Sequence, residues 1–222
     1  MTLLNRPQRF DLIVFDWDGT LFDSTALIVH CIQEACRDIG AQVPTAQQAA
    51  YVIGLGLVDA LRHAVPHLPP EQYPALGQRY KHHYATQQHR LSLFEGVLPM
   101  LQALKQRHHL LAVATGKGRK GLDDALAHAE LVGVFDGTRT ADETASKPDP
   151  RMLLELMRQF GVEPERTLMV GDTTHDIHMA HSAGARAVGV TTGAHPLDSL
   201  NQAKPAHIAA SLADMLPWLR AL

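Results

Sequence analysis

Apolar positions along the chain follow two rhythms. Short unbroken apolar runs bounded by turn residues, at 11–15, 110–114, 167–170 and 186–190, predict strands; a weaker run lies at 207–210 and a further short one near 134–137. Residues 118–129, 150–160, 175–183 and 211–222 carry apolar residues at helical spacing and are rich in Ala, Leu, Met and Gln. Strand and helix in alternation predict βαβ units, hence an α/β fold with a doubly wound, Rossmann-like parallel sheet covered on both faces.

One interval breaks this rhythm. About ninety residues separate the first strand from the second, far more than a crossover needs. Their pattern is helical at 24–39, 45–52, 58–65 and 71–91, punctuated by Pro44, Gly54, Gly56, Pro66, Pro69 and Pro70. The expectation is an inserted all-helical cap over residues 24–93, with residues 1–23 and 94–222 forming the core domain. No internal repeat or low-complexity tract is present.

Composition narrows the setting. Hydrophobic residues at 45% and charged residues at 19% of 222 supply a real core and exclude general disorder. Twenty Lys and Arg against 23 Asp and Glu, with no basic block, leave no footprint for a nucleic-acid partner. Two cysteines, Cys31 and Cys36, make neither a disulfide framework nor a zinc set, which fits a reducing cytoplasm. No apolar run approaches membrane-spanning length, and residues 1–7 lack the apolar core of a leader. A soluble cytoplasmic protein, monomeric or weakly dimeric and without a membrane partner, is expected.

In an open parallel sheet, ligands bind beyond the carboxyl ends of the strands. Asp16-Trp17-Asp18-Gly19-Thr20-Leu21 follows the first strand, Thr115-Gly116-Lys117 the second, and Gly171-Asp172-Thr173-Thr174-His175-Asp176 the strand at 167–170; Lys147-Pro148 precedes the helix at 150–160. Asp16, Asp18, Asp172 and Asp176 would gather at one rim with Lys147 as the evident counter-charge. Two like charges ~4 Å apart repel by roughly 4 kcal/mol at an effective dielectric of 20. All-oxygen ligands in a partly open site favour Mg²⁺. The Thr115 hydroxyl, the amides of Gly116 and Lys117 at a helix start, and the Lys147 ammonium suit a phosphoryl group. A carboxylate could attack that group, with a second carboxylate two residues on as acid and base.

The motif Asp16-Trp17-Asp18-Gly19-Thr20-Leu21-Phe22-Asp23-Ser24, with Thr115, Lys147-Pro148 and Gly171-Asp172…Asp176, resembles the four motifs of the haloacid dehalogenase-like hydrolase superfamily in its phosphatase form. The insertion is similar to the C1 cap of its phosphoglycolate phosphatase-like subgroup. The resemblance implies Asp16 as nucleophile and metal ligand, Asp18 as acid/base lending its backbone carbonyl to Mg²⁺, and Asp172 as a direct ligand. It implies Thr115, Gly116 and Lys147 around the phosphate, and Asp176 in support. Gly19 and Thr20 would shape the turn, and Asp23 would steady the loop into the cap. The substrate would be a small phosphomonoester, phosphoglycolate-like or a sugar phosphate.

Other readings of these residues stand beside that one. A phosphosugar mutase shares Asp16 and Asp18, and a phosphate-binding or signalling protein would keep the pocket without turnover. Asp176 also reads as a first-turn carboxylate complementing a helix dipole. His175, His178 and His181 read as surface histidines rather than zinc ligands. Arg62 reads as an exposed helix arginine more readily than as a carboxylate anchor, and Gly54-Leu55-Gly56-Leu57 reads as a flexible lid or a packing element.

Overall fold

The computed structural model describes residues 9–222, so the segment 1–7 considered above for a leader lies outside the described residues. Six strands, β1 (Leu12–Phe15), β2 (Leu110–Thr115), β3 (Gly137–Thr140), β4 (Thr167–Gly171), β5 (Arg186–Val190) and β6 (His207–Ala209), form one sheet. All neighbours are parallel, in the order β3-β2-β1-β4-β5-β6. Strand order reverses beside β1, so a crevice opens beyond the carboxyl ends of β1 and β4. The expected doubly wound α/β fold is present.

Successive side chains of a strand point to opposite faces, and here both faces are covered, so the inner strands are apolar throughout. Ile13, Phe15, Val113 and Val170 pack on one face against Met100, Leu104 and Met215. Those partners come from α5 (Val97–Gln106) and α10 (Leu212–Ala221). Leu12, Val14, Ala112 and Met169 pack on the other against Leu153, Leu156, Ile177 and Ala180. These come from α7 (Arg151–Phe160) and α8 (Thr174–Ser182). Each large apolar side chain so buried contributes about 1.5–3 kcal/mol.

A third cluster is helical and includes Ile28, Ile32, Val52, Ile53, Leu61 and Leu76. It is built from α1 (Thr25–Asp38), α2 (Ala46–Tyr51), α3 (Leu57–Ala64) and α4 (Tyr73–Gln87). The chain enters and leaves this group through a two-stranded neck. There the Asp23 amide donates to Ser92 O at 3.0 Å and the Phe94 amide to Leu21 O at 3.0 Å.

Three elements differ from expectation. β3 lies three residues later than the apolar run near 134–137. Its sequence Gly-Thr-Arg-Thr buries Thr140 alone, so a sheet edge carries no hydrophobic signature. α5 was not expected, although Val97, Met100, Leu101 and Leu104 recur at helical spacing. The other is α9 (Leu197–Gln202), which at six residues is too short to show a period. Between β2 and β3 lies α6 (Arg119–His128).

Candidate active site

Asp16 follows β1 and Asp172 follows β4, so both stand at the head of the crevice; the Asp16 amide donates to Val170 O at 2.9 Å. Both side chains are buried, as are Thr115 at the end of β2 and Lys147 in the loop before α7. Lys147 Nζ lies 2.7 Å from Asp16 Oδ1 and donates to Asp176 Oδ1 at 2.6 Å. Asp176, in the first turn of α8, also accepts from the Thr173 amide at 3.2 Å and the Thr173 hydroxyl at 2.7 Å. It therefore caps its helix and partners Lys147 at once.

Carboxylate oxygens of Asp16, Asp172 and Asp176 lie within 4.8 Å of one another. Against these three acids stands the one ammonium of Lys147. Burial pushes the Asp16 carboxyl well above the usual carboxylate range; Lys147 opposes this, and Asp176 and Asp172 add to it. Burial and then Asp176 raise Asp172 to about 7. Burial alone would favour neutral Lys147, but Asp16 and Asp176 outweigh it and keep the ammonium charged. Asp172 is fixed by the Thr20 hydroxyl at 2.7 Å and the Ala194 amide at 2.7 Å. A Cβ at Gly19, which sits at φ +80°, would collide with that carboxylate.

Asp18 does not join the trio, which corrects the expectation of four clustered acids. After β1 the chain turns, with Trp17 O accepting from Leu21 N and Phe22 N at 3.0 Å each. That turn carries the Asp18 carboxylate to its own partners. Ser24 Oγ donates to Oδ1 at 2.6 Å, and Lys117 Nζ lies 3.1 Å from Oδ2. Lys117 Nζ also donates to the Tyr84 hydroxyl at 3.0 Å and sits 4.6 Å from that ring's centroid. Burial pulls the Lys117 ammonium toward neutrality, yet Asp18 and Tyr84 raise it overall, so it stays charged. Burial, then Asp18, raises the Tyr84 phenol, which stays neutral.

The Lys117 amide is not a free anion donor either. It donates to Thr115 Oγ1 at 3.2 Å, and α6 begins only at Arg119. The side chain of this lysine, Ser24 and Tyr84 were absent from the expected site. Lys117 beside Thr115-Gly116 was the one local signal. Asp23 is exposed, and it is the neighbouring Ser24 that reaches Asp18.

The segment Gly54-Leu55 lies directly on the rim: a Cβ at Gly116 would collide with the carbonyl oxygens of both residues, and one at Gly54 would sit 3.8 Å from Asp16 Oδ2. The segment is anchored from behind. His175 Nε2 and His195 Nε2 each lie 2.9 Å from Tyr51 O, and the His195 ring stacks on the Tyr51 ring at 4.9 Å. The Thr174 amide donates to His195 Nδ1, so the His195 proton is on Nε2 and points to Tyr51 O. His175 is thus buried rather than a surface histidine, and burial lowers it to about 4. His178 and His181 are exposed, as expected. His195 carried no sequence signal.

A cavity of about 370 Å³ opens from Asp18, Gly54, Gly116 and Lys117 into the helical group. Arg62 is exposed and does not line it. Cys31 and Cys36 are buried free thiols.

The model of the family described as haloacid dehalogenase-like hydrolase matches residues 13–190, from within β1 to the end of β5, and so spans every residue of the acid trio. The chain belongs to the haloacid dehalogenase-like hydrolase family. This hydrolase is 36% identical over 217 residues to a Dickeya dadantii protein named "Probable phosphatase IndB", covering 95% of this chain and 94% of that one. It is 31% identical over 218 residues to a phosphoglycolate phosphatase of Vibrio vulnificus, covering 94% and 96%. Its fold matches the crystal structure of a predicted phosphoglycolate phosphatase from Haemophilus somnus with a TM-score of 0.84 and 29% identity, over 95% and 98% of the two chains. No helix among the described residues of the hydrolase is long and apolar enough to cross a membrane.

Proposed function

We propose that this hydrolase is a Mg²⁺-dependent phosphatase acting on a small soluble phosphomonoester through an aspartyl phosphate on Asp16. One observation carries the reading: Asp16 is buried at the crevice head with Oδ2 lacking a hydrogen-bond partner, beside Lys147 and two further carboxylates. A buried carboxylate so placed costs stability unless a cation or a reacting group completes it.

The donor set fits a hard divalent ion, being all oxygen and short of positive charge. Asp16, Asp172 and the backbone carbonyl of Asp18 would hold it. Asp176, with both oxygens engaged by Lys147 and Thr173, would support from behind. When bound, Mg²⁺ supplies charge neutralisation for the carboxylates and the phosphoryl oxygens.

The Thr115 hydroxyl, the Gly116 amide and the Lys147 ammonium would orient the phosphoryl group against Asp16. Asp16 attacks phosphorus, the bond to the leaving alcohol breaks, and Asp18 gives its proton to the departing oxygen. Asp18 then takes a proton from water as that water attacks phosphorus, which frees phosphate and restores Asp16. Lys117 and Ser24 hold Asp18 in position and stabilise the negative charge it carries between the two steps. Residues 24–93 act as the cap, and Gly54-Leu55 shields the reacting groups from bulk water. The buried thiols suit a reducing cytoplasm.

The test is phosphate release from a panel of esters with Mg²⁺, with EDTA, and with Asp16→Asn, alongside acid-quenched mass spectrometry for phosphate on Asp16. Release lost in EDTA and in the variant is expected. Metal-independent release by Asp16→Asn would overturn the assignment.

A further inference from the structure

We propose that the leaving group this enzyme accepts is an uncharged alcohol with an apolar or aromatic body, rather than a short carboxylate or a polyol. The inference rests on the phosphatase reading and names the substrate class of that same site.

The cavity beside Asp18 has the volume of a small-molecule pocket, whose usual range is about 300–1,000 Å³. Asp18 and Lys117 stand on its core side, where the leaving oxygen must be protonated. Ile28, Ile32, Ile53, Leu57, Leu61 and Tyr84 stand opposite, on the helical group. Tyr80 stacks on Tyr84 with ring centroids 6.0 Å apart and extends the aromatic wall. A two-carbon leaving group would leave most of these walls against water, whereas an apolar body would cover them.

Charge leads to the same conclusion. A substrate carboxylate entering this space needs a fixed cation. Of the cations lining the cavity, the inner one, Lys117, is already held by Asp18 and Tyr84. Were it drawn to a substrate carboxylate, it would leave the residue that must protonate the leaving group. Lys81 and Lys120 are exposed at the mouth, where Lys120 pairs with Asp124 at 2.8 Å. A polyol fares less well than an apolar body, because the carboxylates that could bond it, Asp124 and Asp142, are exposed, while the walls made by Ile28, Ile32, Ile53, Leu57 and Leu61 return no hydrogen bonds.

The experiment compares ethyl, hexyl and benzyl phosphate, whose leaving alcohols are similarly basic, with phosphoglycolate and glucose 6-phosphate. Each buried methylene is worth about fourfold in affinity. Hexyl or benzyl phosphate should therefore exceed ethyl phosphate and phosphoglycolate in kcat/KM by at least about tenfold. Leu57→Gln should cut the hexyl-to-ethyl ratio by about tenfold, and the series on the unaltered enzyme stands whether or not this variant folds. Calorimetric titration with methylphosphonate and hexylphosphonate reads the same pocket without turnover.

Phosphate release in which phosphoglycolate or ethyl phosphate matches hexyl phosphate overturns the substrate class and leaves the phosphatase standing. Release from none of the esters overturns the phosphatase. In that case the phosphonates decide the pocket by themselves: tighter hexylphosphonate upholds its apolar preference, and equal binding removes it.

Discussion

Lys117 Nζ lies 3.1 Å from Asp18 Oδ2 and donates to Tyr84, a residue of α4, so one ammonium ties the proposed acid/base to the helical insertion. Asp18 is thereby sensitive to how the insertion sits. Lys117→Met is expected to lower kcat by about tenfold or more, equivalent to about 1.4 kcal/mol in the barrier. Lys117→Arg should restore part of the loss, and steady-state kinetics over a pH series checks both. Unchanged kcat in Lys117→Met would show that Ser24 suffices to hold Asp18.

Asp16 and Lys147 should respond in opposite directions although they touch. Removing Asp16's charge relieves a buried, under-neutralised cluster, since Lys147 keeps Asp176. In EDTA, Asp16→Asn is expected to melt at or above the parent temperature while turnover is lost. Removing Lys147 instead leaves three acids without a cation. Lys147→Met should cost about 3–5 kcal/mol, with about 2–4 °C lost from Tm per kcal/mol. Thermal scans of both variants in EDTA settle the comparison.

Mg²⁺ stabilisation should grow with pH. Asp16 and Asp172 are both raised in the folded state, Asp172 to about 7 from an ordinary 3.8. A raised acid stabilises the fold while it keeps its proton, fully below its ordinary range, and that contribution fades as pH climbs through 7. The metal-free protein should therefore lose stability between about pH 4 and 7 from Asp172, with Asp16 acting in the same direction. Mg²⁺ bound as proposed would take the place of the protons, adding about 2.7 kcal/mol at a hundredfold excess over Kd. The Tm rise on adding Mg²⁺ should be small at pH 5 and several degrees at pH 8. An equal rise at both would separate the ion from this trio.

Gly116 sets how closely the insertion approaches the sheet. Gly116→Ala places a methyl group against the carbonyl oxygens of Gly54 and Leu55. The segment must lift, so kcat/KM is expected to fall by about tenfold or more, since small misplacements at a reacting centre carry large costs. Circular dichroism should show the fold intact.

Much of this molecule is written locally. The buried strands, the helices between them, the run of helices between β1 and β2, the position of Asp16, Thr115 and Asp172 at their strand ends and that of Lys147 ahead of its helix follow from hydrophobic periodicity and strand-end chemistry, because those depend on residues within one turn or one strand of each other. What tertiary structure alone decided depends on approach between distant segments. The polar edge strand β3 exists because β2 offers it hydrogen-bonding partners. Asp18 leaves the acid cluster because Ser24 and Lys117 reach it from elsewhere. His195 meets His175 on the Tyr51 carbonyl across more than a hundred residues of chain. The apolar character of the cavity, too, arises only where α1, α3 and α4 face Asp18, and no window of sequence contains all four.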